Sequence, residues 1–383
     1  MPLNKLNLFE NSQIDQSEFL KNYWHKKPLL ITNAIDGKDL SILPDKQQLQ
    51  QLSCHEDIQS RIVFKNSEAD YDVEYGPFIE NDWDEIEQQC WNLLVSDIDK
   101  WQPQSKEILK YFNFIRNWIF DDIMVSCGSA DGTVGPHTDH YDVFLLQVQG
   151  QRQWGFSHDK IYNPDLMPEQ ALKLMSQFKA DETHILNPGD VLYLPPEVAH
   201  YGIATTDDCV TCSIGIRTPS HSELLTSFVD NLAQNIPADH RFEEPQFSKQ
   251  PKTGEITKKD LNNISQILIE KLTVQNNSLS DWFGKYISEY RSIFYEFNQY
   301  QDSKQLDNKQ ALSLSPFSKS CYFKQANKAQ LFVNGNDFLS SLKLAELICN
   351  NKHISVQELN ELNTNDKQII MKLFENGSLI PEA

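Results

Sequence analysis

Two stretches decide how this chain is read: Val134-Gly-Pro-His-Thr-Asp-His-Tyr-Asp-Val-Phe144 and Pro188-Gly-Asp-Val-Leu-Tyr-Leu-Pro-Pro-Glu-Val-Ala-His200. In the first, His137 and Asp139 stand at i and i+2. On a strand that spacing points both side chains to the same face, here a barrel interior. In the second, Pro188-Gly189-Asp190 forms a turn that opens a strand, and Pro195-Pro196 closes it and redirects the chain. His200 is thereby expected at a barrel mouth. Two histidines and one carboxylate on one face are the ligand set of a non-heme Fe(II) facial triad. Three ligands leave three positions open, enough for a bidentate 2-oxo acid and dioxygen. Zinc favours four tetrahedral ligands, or three and a water. An HxD tripeptide alone is common; its weight comes from the PGDxLYxPPxxxH stretch that follows it and from a cationic residue in the intervening hairpin.

That residue is Arg152, the first of the strand returning from the Gly150-Gln151 turn. A planar guanidinium grips a carboxylate through two charge-assisted hydrogen bonds. An exposed hairpin arginine is the bland alternative; beside a triad, the expected role is to hold the far carboxylate of 2-oxoglutarate.

Working outward, residues 120–217 read as short strands at 123–127, 142–149, 152–156, 184–186, 191–194 and 210–217. Their Gly and Pro punctuation predicts a β-barrel or sandwich. Upstream, residues 1–50 are amphipathic and helical in pieces, with 19–28 running into an apolar strand at 29–31. Ile86, Cys90, Leu93, Leu94 and Ile98 recur at helical spacing and predict a helix over 83–101. After Pro219 the pattern turns helical, at 223–235, 258–272 and 279–297, with a polar loop at 237–256. A linker at 298–312 precedes a last compact unit. It is expected to hold a strand at 329–333, a turn at Asn334-Gly335, helices at 339–350, 355–362 and 365–376, and a short strand at 379–380.

The chain has 383 residues, 39% of them hydrophobic, which predicts a globular protein of two or three domains with no need of a disulfide staple. Its formal net charge of -20 repels nucleic acid and anionic lipid, and suits basic partners or simply a soluble acidic surface. Seven scattered cysteines, an opening MPLNKLNLFENSQ with no apolar core, and no stretch of membrane-span length lead us to expect a cytoplasmic protein with no membrane contact. Cys209-Val-Thr-Cys212 lies in a strand without a second pair, which argues against zinc or redox chemistry. His140 has the opposite parity to His137, and His158 and His184 lie near turns or strand starts without partners. His25, His55, His221, His240 and His353 read as surface or capping residues. Residues 313–383 hold seven lysines, no arginine and seven acidic residues, so direct nucleic-acid binding is not expected.

Several segments together resemble the JmjC-type cupin oxygenases, specifically the bacterial ribosomal protein arginine hydroxylases. They are Tyr23-Trp-His-Lys-Lys-Pro-Leu-Leu30, Ser60-Arg-Ile-Val63, Tyr75-Gly-Pro-Phe78, Trp91-Asn-Leu-Leu-Val95, Asp121-Asp-Ile-Met124, the two stretches quoted above, Ser213-Ile-Gly-Ile-Arg217 and Asp281-Trp-Phe-Gly-Lys285. One departure is Ser129-Ala-Asp-Gly-Thr-Val134, which has fewer glycines than that family's pattern.

The resemblance implies an α+β chain: a double-stranded β-helix catalytic domain at 1–219, a helical dimerisation region at 220–300 and a winged-helix-like domain at 313–383. It implies Fe(II) on His137, Asp139 and His200, and 2-oxoglutarate on Arg152 and Ser126, with O2 as the other cosubstrate. The activity implied is hydroxylation of an arginine of large-subunit ribosomal protein sixteen by a homodimer. Asp122, Met124 and Tyr141, with Ser213, occupy positions resembling the pocket for the target arginine. A carboxylate at Asp122 suits a guanidinium, and Met124 with Tyr141 suits its aliphatic stem. Two other readings stay open: a JmjC oxygenase acting on a histidine or methyl-lysine of another basic protein, and a metal-binding cupin without catalysis.

Overall fold

The computed structural model describes residues 6–67, 70–168, 171–243, 246, 252–273, 276–291 and 310–382. The chain divides into two compact units, Met1–Thr218 and Pro219–Ala383.

The strands of the first unit are β1 (Leu29–Ile31), β2 (Ser60–Ser67), β3 (Asp70–Tyr75), β4 (Trp91–Val95), β5 (Phe120–Gly128), β6 (Asp142–Gln149), β7 (Arg152–Lys160), β8 (Glu182–Leu186), β9 (Val191–Leu194), β10 (Val198–Ala204) and β11 (Cys209–Ile216). They form one sheet in the order β1-β9-β6-β11-β5-β4-β2-β3 and a second in the order β10-β7-β8. Every pairing is antiparallel.

β6 shows how the sequence builds the layers. Side chains alternate along a strand, so Val143 and Leu145 meet Trp154 and Phe156 of β7 and Leu186 of β8 between the sheets. Phe144 and Leu146 face the other way, into a core shared with Phe19 and Leu49 of the N-terminal helices. There the Phe144 ring lies 4.9 Å from those of Phe112 and Tyr193. Burying each such ring contributes about 1.5–3 kcal/mol. A strand covered on both faces reads as a nearly continuous apolar run, and β6 does.

The same effect corrects the expectation for 83–101. Only Trp83–Ile86 and Ile98–Trp101 are helical, while Trp91–Val95 is β4, buried along its whole length between β2 and β5. With both faces covered, period 2 vanished and chance spacing imitated a helix. β2 and β3 were not anticipated at all.

The Pro188-Gly189-Asp190 turn has a structural task. Gly189 adopts φ +93, and an added Cβ would lie 2.5 Å from the Ile35 carbonyl. Its own carbonyl accepts the N–H groups of Ala34 and Ile35. Asp190 accepts from the N–H of Asn33 at 2.8 Å and from that of Asn187 at 2.9 Å. The turn thus docks the segment that follows β1.

In the second unit, helix His221–Gln234 starts at a Ser220/Glu223 capping box and helix Lys258–Leu272 at a Thr257/Asp260 box. A third helix spans Asn276–Glu289. The expected helix over 279–297 is described only to Arg291, and residues 298–309 of the expected linker lie outside the described residues. Strands Ser320–Gln325, Lys328–Val333 and Asn336–Ser341 form an antiparallel sheet, and Leu312–Leu314 pairs with both His353–Ile354 and Leu379–Pro381. The helix expected from 339 begins at Leu342 instead, because residues up to Ser341 extend the third strand and Ser341 caps the helix. Among the described residues, no helix is long and apolar enough to cross a membrane.

Candidate active site

His137 and Asp139 do not lie in a strand ladder, as their spacing predicted. They sit in the segment between β5 and β6, and His137 forms a single bridge with His200 of β10. The His137 N–H donates to the His200 carbonyl at 3.0 Å, and the His200 N–H returns to the His137 carbonyl at 2.9 Å. The Glu197 N–H donates to the Asp139 carbonyl at 2.7 Å. Backbone bonds thus bring the two sequence stretches side by side, and His200 is a buried residue of β10.

The side chains follow. Asp139 Oδ2 lies 4.0 Å from His137 Nε2 and 3.7 Å from His200 Nε2, and one ligand atom from each residue falls within 4.8 Å of the others. His137 Nδ1 lies 3.0 Å from the Gly135 carbonyl, and His200 Nδ1 lies 3.0 Å from that of Val198. A carbonyl can only accept, so each Nδ1 carries the hydrogen and each neutral ring turns an Nε2 lone pair inward. Burial, and then the neighbouring His137, push His200 down to about 4, which keeps it neutral at physiological pH. Two neutral imidazoles and a carboxylate fit a divalent metal such as Fe(II).

These three residues line a cavity of about 170 Å³ between the sheets, together with Ser126, Arg152, Asp122, Met124, Tyr141 and Ser213. Every site residue expected from the sequence therefore borders one space. Arg152 is buried and has no carboxylate within ion-pair distance among the described residues. Its Nη2 donates to Asn92 Oδ1 at 2.7 Å and its Nε to Cys209 Sγ at 3.4 Å. Asn92 and Cys209 both register with Gly128 of β5.

Asp122 lies six residues back along β5, about 20 Å by strand rise. It has no cation within ion-pair distance among the described residues. Burial, followed by Asp121, Asp97 and Asp99, pushes it up to about 7. Tyr141 lies under the Arg217 guanidinium at 4.6 Å, and Arg217 Nε is 3.5 Å from Asp121. Burial and the carboxylates of Asp139 and Asp122 raise the phenol well above its ordinary range, so it remains an O–H donor. The cavity thus has Arg152 toward one end and Asp122 toward the other, each without an oppositely charged side chain in ion-pair distance among the described residues. Arg61 is also on its wall.

Sequence reasoning missed Asn92, Trp154 and Arg61, which also line the cavity. Each has a buried nitrogen without a partner: Asn92 Nδ2, Trp154 Nε1 and Arg61 Nε. For Asn92 the available signal was an amide inside an otherwise apolar strand; Arg61 and Trp154 carried no such signal. Of the remaining histidines, His158 and His184 do have a partner, since both bind Glu182, at 2.9 and 2.5 Å. His140 binds Glu197 at 2.6 Å, outside the triad. Cys209 and Cys212 are buried in β11 and unbridged.

Residues 107–224 match the JmjC domain family. A probable ribosomal oxygenase of Haemophilus influenzae is 34% identical over 261 residues, 66% of this chain and 63% of that protein. The ribosomal protein uL16 3-hydroxylase of Escherichia coli K12 is 28% identical over 274 residues, 72% of this chain and 71% of that protein. The solved structure of YcfD, a ribosomal oxygenase from Escherichia coli, in complex with cobalt and 2-oxoglutarate superimposes with a TM-score of 0.78 at 22% identity. That superposition covers 97% of this chain and 99% of that one. The likeness to the JmjC domain family thus lies in residues 107–224, and the chain shares the fold of that solved structure.

Proposed function

We propose that this chain is an Fe(II)- and 2-oxoglutarate-dependent oxygenase that hydroxylates an arginine side chain of a basic large-subunit ribosomal protein. The observation that carries the reading is one cavity holding the triad, a buried arginine and an aspartate, the last two without an oppositely charged side chain in ion-pair distance among the described residues. In this reading His137, Asp139 and His200 hold the iron, and Arg152 with Ser126 holds the far carboxylate of 2-oxoglutarate. Asp122 takes the target guanidinium, Met124 and Tyr141 cover its stem, and Ser213 lines the same wall. When bound, iron with 2-oxoglutarate and O2 supplies the hydroxylating oxidant.

The chain's own part is placement. The Nδ1 contacts hold both imidazole rings in the ligating tautomer, the two hydrophobic cores exclude water from around the cavity, and the charged ends orient two ligands of opposite sign. An acidic surface speeds encounter with a basic partner. The relative named for uL16 3-hydroxylation supports a ribosomal target. Exposed Leu225, Val229, Leu261, Ile264 and Leu268 on the second unit's helices support a homodimer. A cytoplasmic location follows from the ribosomal target.

The test is mass spectrometry of ribosomal protein sixteen incubated with the enzyme, Fe(II) and 2-oxoglutarate. A gain of one oxygen on arginine, with succinate formed, is expected. Oxygen on histidine, or methyl loss from lysine, would move the reading to another JmjC chemistry. No succinate with any basic protein would leave a non-catalytic cupin.

A further inference from the structure

Asn92 is the one polar residue of β4, a strand buried from Trp91 to Val95. Its surroundings fix which way its amide points. A guanidinium can only donate, and Arg152 Nη2 lies 2.7 Å from Asn92 Oδ1. The oxygen therefore faces Arg152, and the two N–H bonds of Nδ2 lie on the other side of the amide carbon. That nitrogen is buried and meets no acceptor, although Asn92 lines the cavity. Trp154, on the facing sheet, also lines the cavity and carries a buried indole N–H with no acceptor. Buried donors are rarely left unmade. Both unpartnered side-chain nitrogens named here, Asn92 Nδ2 and Trp154 Nε1, are donors like the guanidinium, which suits an ionised carboxylate.

We infer that Asn92 is a second cosubstrate-binding residue: its oxygen clamps Arg152 while its nitrogen donates to the far carboxylate of the 2-oxo acid. This rests on the reading that Arg152 holds that carboxylate. Asn92 then does more than orient the guanidinium. It adds a direct bond that a 2-oxo acid lacking the far carboxylate does not make, and so sharpens selection for a dicarboxylate. A merely structural Asn92 would act only through Arg152, and the two roles separate experimentally.

The test is calorimetric titration of the full chain, loaded with Mn(II) and without turnover, using 2-oxoglutarate and pyruvate as probes. Pyruvate chelates metal but has no far carboxylate. Asn92→Asp keeps the side-chain shape but replaces the donor with an anion that neutralises Arg152. It should weaken 2-oxoglutarate by about 100-fold or more, two carboxylates now competing for one guanidinium, and leave Mn(II) and pyruvate affinity unchanged. Equal weakening of both probes would overturn the inference. In an Arg152→Ala background, Asn92→Ala should weaken 2-oxoglutarate by a further factor of about five, the worth of one ordinary hydrogen bond. No further loss in that background would reduce Asn92 to a clamp and overturn the inference while leaving the Arg152 reading intact. If Arg152→Ala alone left 2-oxoglutarate affinity unchanged, the reading beneath the inference would fall with it. Retained pyruvate binding certifies that each variant is folded.

Discussion

Replacing Asp122 with asparagine should make the protein more stable and less able to hold its target. The carboxyl moves from 3.8 to about 7 because burial and the carboxylates of Asp121, Asp97 and Asp99 disfavour its charge. At about 1.4 kcal/mol per pH unit the ceiling is about 4 kcal/mol, and water reaching this half-buried side chain trims it to about 2–3 kcal/mol. The sign follows from proton linkage. Below pH 3.8 the group is protonated in both folded and unfolded chains, and the stability that comes from its neutral form is fully present. As pH rises through about 7 that stability is lost, because the folded state must carry the charge.

Asparagine stays neutral throughout. The two proteins should therefore match near about pH 4, and the variant should lead by about 2–3 kcal/mol near about pH 8. Urea unfolding followed by tryptophan emission measures this, since six of the seven tryptophans precede residue 219 and so report on the first unit. Taking the difference between the proteins cancels the titrating groups that do not interact with Asp122. A variant lead that is the same at both pH values, or a variant weaker at the higher one, would refute the reasoning. Peptide affinity should move the opposite way, falling as the anionic partner for a guanidinium disappears, the usual exchange of function for stability.

Arg152→Ala should weaken 2-oxoglutarate binding while leaving metal affinity intact; calorimetry that showed both lost together would make Arg152 a structural residue. Asp139→Ala should abolish tight Fe(II) or Mn(II) binding and turnover, and full turnover would sink the triad assignment. Gly202→Ala places a Cβ 2.8 Å from two carbons of the Trp154 indole. Overpacking of this kind should cost about 1–3 kcal/mol in urea unfolding. A stability equal to the parent's would show that the ring shifts freely.

Local chemistry made part of this site legible. The His137, Asp139 and His200 side chains could be picked out because metal ligands are a short list of residue types, and because a Pro-Gly-Asp turn marks the start of a strand. How they meet was not legible. Parity along one strand was the expected device, whereas a single backbone bridge between distant segments does the placing. Sequence patterns report local periodicity, and a lone bridge has none. β4 was misread for a related reason: burial on both faces removes alternation, and Cys90, Leu93 and Leu94 then fit a helical stripe. Asn92 was lost with it, because a polar residue on a supposed helix surface attracts no attention, whereas the same amide inside a buried strand demands a partner. The Ser220/Glu223 capping box is a local signal, yet the expected helix starts at 223, inside the box, rather than at His221; the strand at Asn336–Ser341 had no local signal, because its pairing is tertiary.

The sheet order also sets a timetable for synthesis. β1 pairs with β9, so Leu29–Ile31 waits for Val191–Tyr193 to be translated. At about 5–20 residues per second that is a delay of roughly 10–30 s. Throughout it, Phe19 and the other apolar side chains of the N-terminal layer lack the β6 and β9 surface they bury against, which invites chaperones or misassociation on the nascent chain. β5 likewise stands without one neighbour until Cys209–Ile216 has emerged. Because His200 comes late and completes the proposed triad from β10, the three candidate ligands come together only toward the end of synthesis. A ribosome stalled before residue 198 would hold a chain with neither the β10-β7 pairing nor His200 beside His137 and Asp139.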